Sequence, residues 1–222
     1  HTDGSFDPAG NFTRAETVTV LDRIFAEVFD ESGQYGDDNE QTIIDGNAVV
    51  LSGGTNLSNI HVKGDLLIAQ SVGEGTVILD KVIVDGKLTV KGGGANSVYL
   101  RQCMILTVSL DKDGARLVLQ DGTEIIEIYV NAPSIVEQDP EGKSILITTL
   151  NITIGGVTLV NVHITGDLVI GDSVEEGQFT LENVVIEGDI VSESGEIIED
   201  SQPPLAPLGG DEPSTVRVRA IS

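Results

Sequence analysis

The sequence predicts an all-β chain wound as a parallel β-solenoid, about seven turns of three short strands each, with one helix before it and one detached strand after it. Two observations predict this. Asn56 to Gly86 and Thr158 to Gly188 are copies of one pattern set 102 positions apart, and within each copy the pattern recurs after 22 residues. In the first copy Leu57, Val62, Gly64 and Leu66 are echoed by Leu79, Val84, Gly86 and Leu88; in the second, Leu159, Ile164, Gly166 and Leu168 are echoed by Leu181, Ile186, Gly188 and Ile190. Short β-branched alternations broken by Gly at a fixed period of this size mark turns that bury their apolar face only by stacking on one another.

Residues 1–40 stand apart from the repeat. Thr13 and Glu16 frame a capping box, and Val18, Leu21, Ile24, Phe25 and Val28 follow at helical spacing. This spacing predicts an amphipathic helix from Arg14 to about Phe29, placed to cap the first turn of the solenoid. Asp30 to Glu40, acidic and rich in Gly, reads as a loop. Residues 41–200 hold the solenoid, with strands expected from about Thr42 to Gly195. Examples are Thr76 to Leu79, Val82 to Val84 and Lys87 to Val90, and turn length is expected to wander between about 19 and 22 residues. AQSVGEG and GDSVEEG mark a recurring corner at which Gly75 and Gly177 are free to take positive φ. Residues 201–222 begin as a linker with four Pro and two Gly between Ser201 and Ser214. They end in an alternating strand that sets Val216 and Val218 on one face and Arg217 and Arg219 on the other.

Composition narrows the function. Twelve Lys and Arg against 36 Asp and Glu give a formal net charge of -24, which repels nucleic acid and anionic membranes. Aromatic content of 4%, one Met and no Trp leave Val, Ile and Leu to fill a narrow interior with no room for a ligand cavity. Cys103, the single cysteine, cannot form a disulfide within the chain, and its apolar setting in CMIL predicts a buried, unreactive thiol. No run of 18 apolar residues occurs, so no membrane span is expected. A start at His1 without Met suggests a processed or truncated product.

The string DGSFDPAGNFTRAETVTVLDRIF resembles the second half of a bacterial surface-layer homology repeat, with its Gly-x-Phe-x-Pro turn and Thr-Arg-Ala-Glu helix start. The resemblance implies an exported protein of a bacterial envelope. It further implies a glycan-binding role toward cell-wall polysaccharide for Thr13, Arg14 and Glu16, with Arg14 at the position of the sugar-binding arginine. Read from the residues alone, Arg14 is a surface charge at a helix start. The solenoid itself looks like the right-handed parallel β-helices of bacterial surface proteins and polysaccharide-active enzymes.

Within the repeat, His61 and His163 flank inward residues and so point outward, about five turns apart, too far to share a metal. Asp167 and Asp189 fall one turn apart on the outside, where they either share a cation or splay in solvent. Lys63 is expected to stack near Asp85, and Asp65 near Lys87. Asn161 and Asn183 are expected at corners with their amides hydrogen-bonded along the rod. Tyr99, Tyr129 and the few central basic residues do not repeat as a sugar-binding groove. No catalytic, cofactor or metal residue is therefore assigned. The expectation is a non-catalytic structural protein of a bacterial surface layer or extracellular filament that forms homo-oligomers or homopolymers. Its assembly strand, Val216 to Arg219, either adds to an adjacent copy or closes its own chain. The alternatives are a polysaccharide-anchoring protein and, behind it, a polysaccharide-active enzyme.

Overall fold

A computed structural model of the protein describes residues 25–95, 98–140, 145–175 and 177–192. These residues form a parallel β-solenoid of about eight turns, consistent with a right-handed parallel β-helix. Every strand pairing among them is parallel, and each strand pairs with its equivalents one turn above and below. One side of the coil is an eight-stranded sheet running from Gly33–Tyr35 to Phe179–Glu182. The other side is a bent thirteen-stranded sheet that starts at Glu27–Phe29 and ends at Ile190–Ser192.

The repeat aligned in the sequence is the repeat that pairs. Leu57 lies opposite Leu79, Val62 opposite Val84 and Leu66 opposite Leu88, while in the second copy Leu159 pairs with Leu181, Ile164 with Ile186 and Leu168 with Ile190. Turn length varies more than the expected 19 to 22. Val49 pairs with Leu67, 18 positions on, and Val136 with Leu159, 23 positions on. The strands shorten or lengthen little, and the corners absorb the difference.

Three differences from the sequence reading have a physical reason. First, Glu27–Phe29, the end of the expected helix, is a strand paired with Ala48–Val50, and Gly33–Tyr35, inside the expected loop, pairs with Thr55–Leu57. The solenoid thus begins two strands before Thr42, which lies in the third strand of the first turn. Phe29 is buried, with its ring edge-on to Tyr35 at a centroid distance of 4.8 Å. Second, two of the three strands per turn fuse in the middle of the rod, where Ile83–Val90, Met104–Leu110, Glu124–Val130 and Leu146–Ile152 each run unbroken round a bend. Third, Gly177 takes a positive φ of 83°, but in the first copy that role falls to Gly73 (φ 61°), and Gly75 is instead needed for close stacking. A Cβ on Gly75 would lie 2.6 Å from the Gly53 Cα one turn below.

The interior is a set of aliphatic stacks. Val50, Ile68, Val90, Leu110, Val130 and Ile152 follow one another up the rod, each opposite the next and each fully buried. Leu57, Leu79, Leu100 and Leu119 do the same on the other sheet. Burying each such side chain contributes roughly 1.5–3 kcal/mol, and because every one packs on its equivalents above and below, the core has no centre whose loss would be confined to one turn. No helix among the described residues is long and apolar enough to cross a membrane.

Candidate functional site

Two corner types fix which side chains reach the outside. At the corner leaving the eight-stranded sheet, Asn59, Lys81, Gln102, Asn161 and Asn183 all adopt positive φ, between 52° and 60°. Asn tolerates this left-handed region well, whereas Lys81 and Gln102 carry a strain that the stacked corner imposes. Asn183 donates from its amide to the Asn161 carbonyl oxygen at 3.0 Å, as the sequence reading expected.

The second corner is a column of Gly-Asx steps. Gly64 N–H donates to Gly46 O, Gly86 N–H to Gly64 O and Gly188 N–H to Gly166 O, at 3.0–3.1 Å. The residue after each Gly extends the ladder. Asn47 Oδ1 accepts from Asp65 N–H, Asp65 Oδ1 from Lys87 N–H, and Asp167 Oδ1 from Asp189 N–H, all at 2.8–2.9 Å. Asp167 and Asp189 are therefore linked by a carboxylate-to-backbone hydrogen bond. No group of three or more His, Cys, Asp or Glu that could hold a metal occurs among the described residues.

The histidines sit outside, on equivalent turns, and each meets a carboxylate one turn up. His163 Nε2 hydrogen-bonds Glu187 Oε1 at 2.9 Å. His61 Nε2 lies 2.9 Å from Asp85 Oδ1 without the alignment of a hydrogen bond. Lys63 pairs downward with Asp45, Nζ to Oδ1 at 2.5 Å, while Asp85 acts on it only through space. That pairing holds the Asp45 carboxyl below, and the Lys63 ammonium above, their ordinary ranges. Asp65 meets Lys87 through the Lys backbone, not its ammonium. Arg101 forks onto the largely buried Asp80, Nε to Oδ1 at 3.0 Å and Nη2 to Oδ2 at 2.7 Å, and Arg116 directs both Nε and Nη2 at the single oxygen Oε2 of Glu137, at 2.7 and 2.6 Å. These central basic residues are thus committed to neighbours along the rod. Cys103 is buried, with its Sγ 3.3 Å from the Leu79 carbonyl oxygen, and burial pushes its pKa up to about 12. Tyr99 and Tyr129 lie on different sheets and make no shared platform.

A further outer feature was not singled out in the sequence. On the bent sheet four outward positions of the middle turns carry exposed apolar side chains, Met104 (54% exposed), Leu106 (54%), Ile126 (49%) and Leu146 (45%). Met104, Leu106 and Ile126, together with Ile83, Asp85 and Glu124, edge a shallow groove of about 250 Å³. Leu106 owes its exposure to the bend, where the register against the strand below shifts between Ile105 and Thr107 and turns the side chain away from the core. The signal was present, since Met104 and Leu106 flank the inward Ile105 by simple alternation.

Thr13, Arg14 and Glu16, and the strand Val216, Arg217, Val218 and Arg219, lie outside the described residues. The class that the described residues define is the parallel β-solenoid with an aliphatic interior and an apolar patch on its bent sheet. No family model, curated protein or solved structure matches the chain.

Proposed function

We propose that the chain is a non-catalytic structural protein of a bacterial surface layer or extracellular filament, in which copies join through the ends of the solenoid and through the C-terminal segment. The supporting observation is the state of the last described turn. Val162, Ile164 and Leu168 are buried, but their equivalents one turn on, Val184, Ile186 and Ile190, are only partly covered. A half-covered aliphatic layer above a ladder of parallel strands is a surface that takes a further strand or a further solenoid end. The segment carrying Val216, Arg217, Val218 and Arg219 alternates as such a strand does, and its arginines suit a chain of net charge -24. Electron microscopy and light scattering of the full chain beside a variant lacking residues 201–222 test this. Assemblies are expected to shrink or vanish in the deletion, and undiminished assemblies would show the segment to be uninvolved.

A second reading, anchoring to cell-wall polysaccharide, is favoured by the Thr-Arg-Ala-Glu motif from Thr13 to Glu16. Retention on purified cell-wall polysaccharide should fall in Arg14→Ala. Equal retention would remove this reading without touching the first.

A further inference from the structure

The outward column of the bent sheet can be followed strand by strand. Ile43 lies opposite His61, His61 opposite Ile83, Ile83 opposite Met104, Met104 opposite Glu124 and Glu124 opposite Leu146. Ile147 pairs with Ile164, which sets Leu146 beside His163, and His163 lies opposite Val185. Read from either end, three of its four corresponding pairs are alike in character, and the middle pair, Met104 and Glu124, is not. Ile43 and Val185 are its exposed apolar ends, at 55% and 54%. His61 and His163 come next, each beside a carboxylate. Ile83 and Leu146 follow, and Met104 and Glu124 meet at the middle. Beside that middle, one step round the bend, the exposed Leu106 and Ile126 stack on each other.

A surface that matches itself end for end at all but its middle pair suits one partner above others, which is a second copy turned end for end. A two-fold axis across the rod between the turns of Met104 and Glu124 sets Ile43 on the partner's Val185, Ile83 on its Leu146, and Leu106 on its Ile126, each contact made twice. The parallel alternative matches less well. It would lay Ile83 on the partner's Asp85 and Glu124 on its Ile126, whereas the antiparallel arrangement makes one such contact in this column, Met104 on the partner's Glu124. We infer that this face is a lateral, antiparallel contact between two copies of the chain. It lends the end-to-end assembly proposed above a second direction, but it does not depend on that assembly.

The strip is ~34 Å long, from eight levels at ~4.8 Å spacing, and about two side chains wide, so each copy covers ~400 Å². A stable dimer covers about 800 Å² per partner, so one such contact is weak and forms at high concentration or beside other contacts. The two rods are both strongly acidic. Screening by salt therefore strengthens the contact, whereas docking by the arginines of the C-terminal segment would weaken with salt.

Cysteine pairing in the full chain tests the geometry, since the buried Cys103 thiol does not compete. A mixture of Ile83→Cys and Leu146→Cys proteins is expected to form a disulfide-linked dimer under mild oxidation, while either variant alone does not, its cysteines facing each other ~14 Å apart. Sedimentation should show self-association that rises with added salt and a dissociation constant raised at least tenfold by Ile126→Lys. The contact is overturned if the single variants cross-link as readily as the mixture, or if no pairing forms and the chain stays monomeric at every salt concentration, as it would with its own C-terminal segment over the column. Cross-linked pairs without end-to-end joins would leave this contact standing and remove the end-on reading. End-to-end assemblies without the cross-link would do the reverse.

Discussion

Asp167 accepts the backbone N–H of Asp189 through Oδ1 at 2.9 Å, so two acidic residues one turn apart are joined by a hydrogen bond. The charge on Asp167 is incidental to that bond, because Asn47 makes the same contact to Asp65 with an amide oxygen. Asp167→Asn should keep native stability, and Asp167→Ala should lose about 1 kcal/mol in chemical denaturation. Calcium should leave both midpoints where they are. A calcium-dependent rise seen in the wild type and absent in Asp167→Asn would contradict this account.

The glycines of the same column are fixed by contact distance. A Cβ on Gly64 would stand 2.7 Å from the Gly46 carbonyl carbon, against backbone that is itself hydrogen-bonded and cannot retreat. Gly64→Ala is expected to cost ~1–3 kcal/mol. Gly114, which has open space around its Cβ position but a φ of 71°, provides the contrast, since Gly114→Asn should cost far less than Gly114→Val. Thermal melting of the three variants checks both statements.

Cys103 should be silent toward thiol reagents in the folded protein at pH 8 and react fully once the chain is unfolded, because burial holds its pKa near 12 against 9.0 for a free thiol. The sign for stability follows. The unfolded thiol ionises from about pH 9 while the folded one does not, so this residue's contribution is complete below that pH and is lost as the pH climbs toward 12. Cys103→Ala should flatten the alkaline limb of the stability curve. An identical limb in both proteins would show that other groups govern it.

Asp45 is expected to titrate below the ordinary carboxylate range, since the Lys63 ammonium hydrogen-bonds its ionised form. A lowered folded pKa means that the contribution is present above the unfolded value and lost as pH falls through the folded one. Both partners are exposed, so the effect on stability is small, and the direct readout is the Asp45 carboxyl resonance. In Lys63→Gln that titration should move upward. If it stays in place, the neighbouring backbone sets it.

The inward half of this fold was legible because alternation and a 22-residue period both mark the same positions, and the paired residues from Leu57–Leu79 to Leu168–Ile190 coincide with that alignment. The first turn was hidden. Glu27–Phe29 is three residues long, too short to show a period of two, and Val28 also falls on a helical spacing that begins at Val18. What makes it a strand is pairing with Ala48–Val50, a partner 21 positions away that local pattern does not name. On the outside, the Asn161–Asn183 contact could be foreseen because both residues repeat. The choice of Asp45 over Asp85 by Lys63 depends on which way a long side chain leans. The apolar outer face escaped notice for a different reason: Met104, Leu106, Ile126 and Leu146 do not belong to the repeat.

The two copies of the repeat sit toward opposite ends of the rod, and the turns between them are the ones that differ. A coil whose ends share a common thread pitch can be cut and rejoined wherever the pitch matches, so its length is adjustable without redesigning its ends. Removing residues 64–165 joins Lys63 to Gly166 in the same frame of inward and outward positions, and it also deletes the middle of the apolar face. In such a chain, how long the rod is and whether it has a side to share become separate choices.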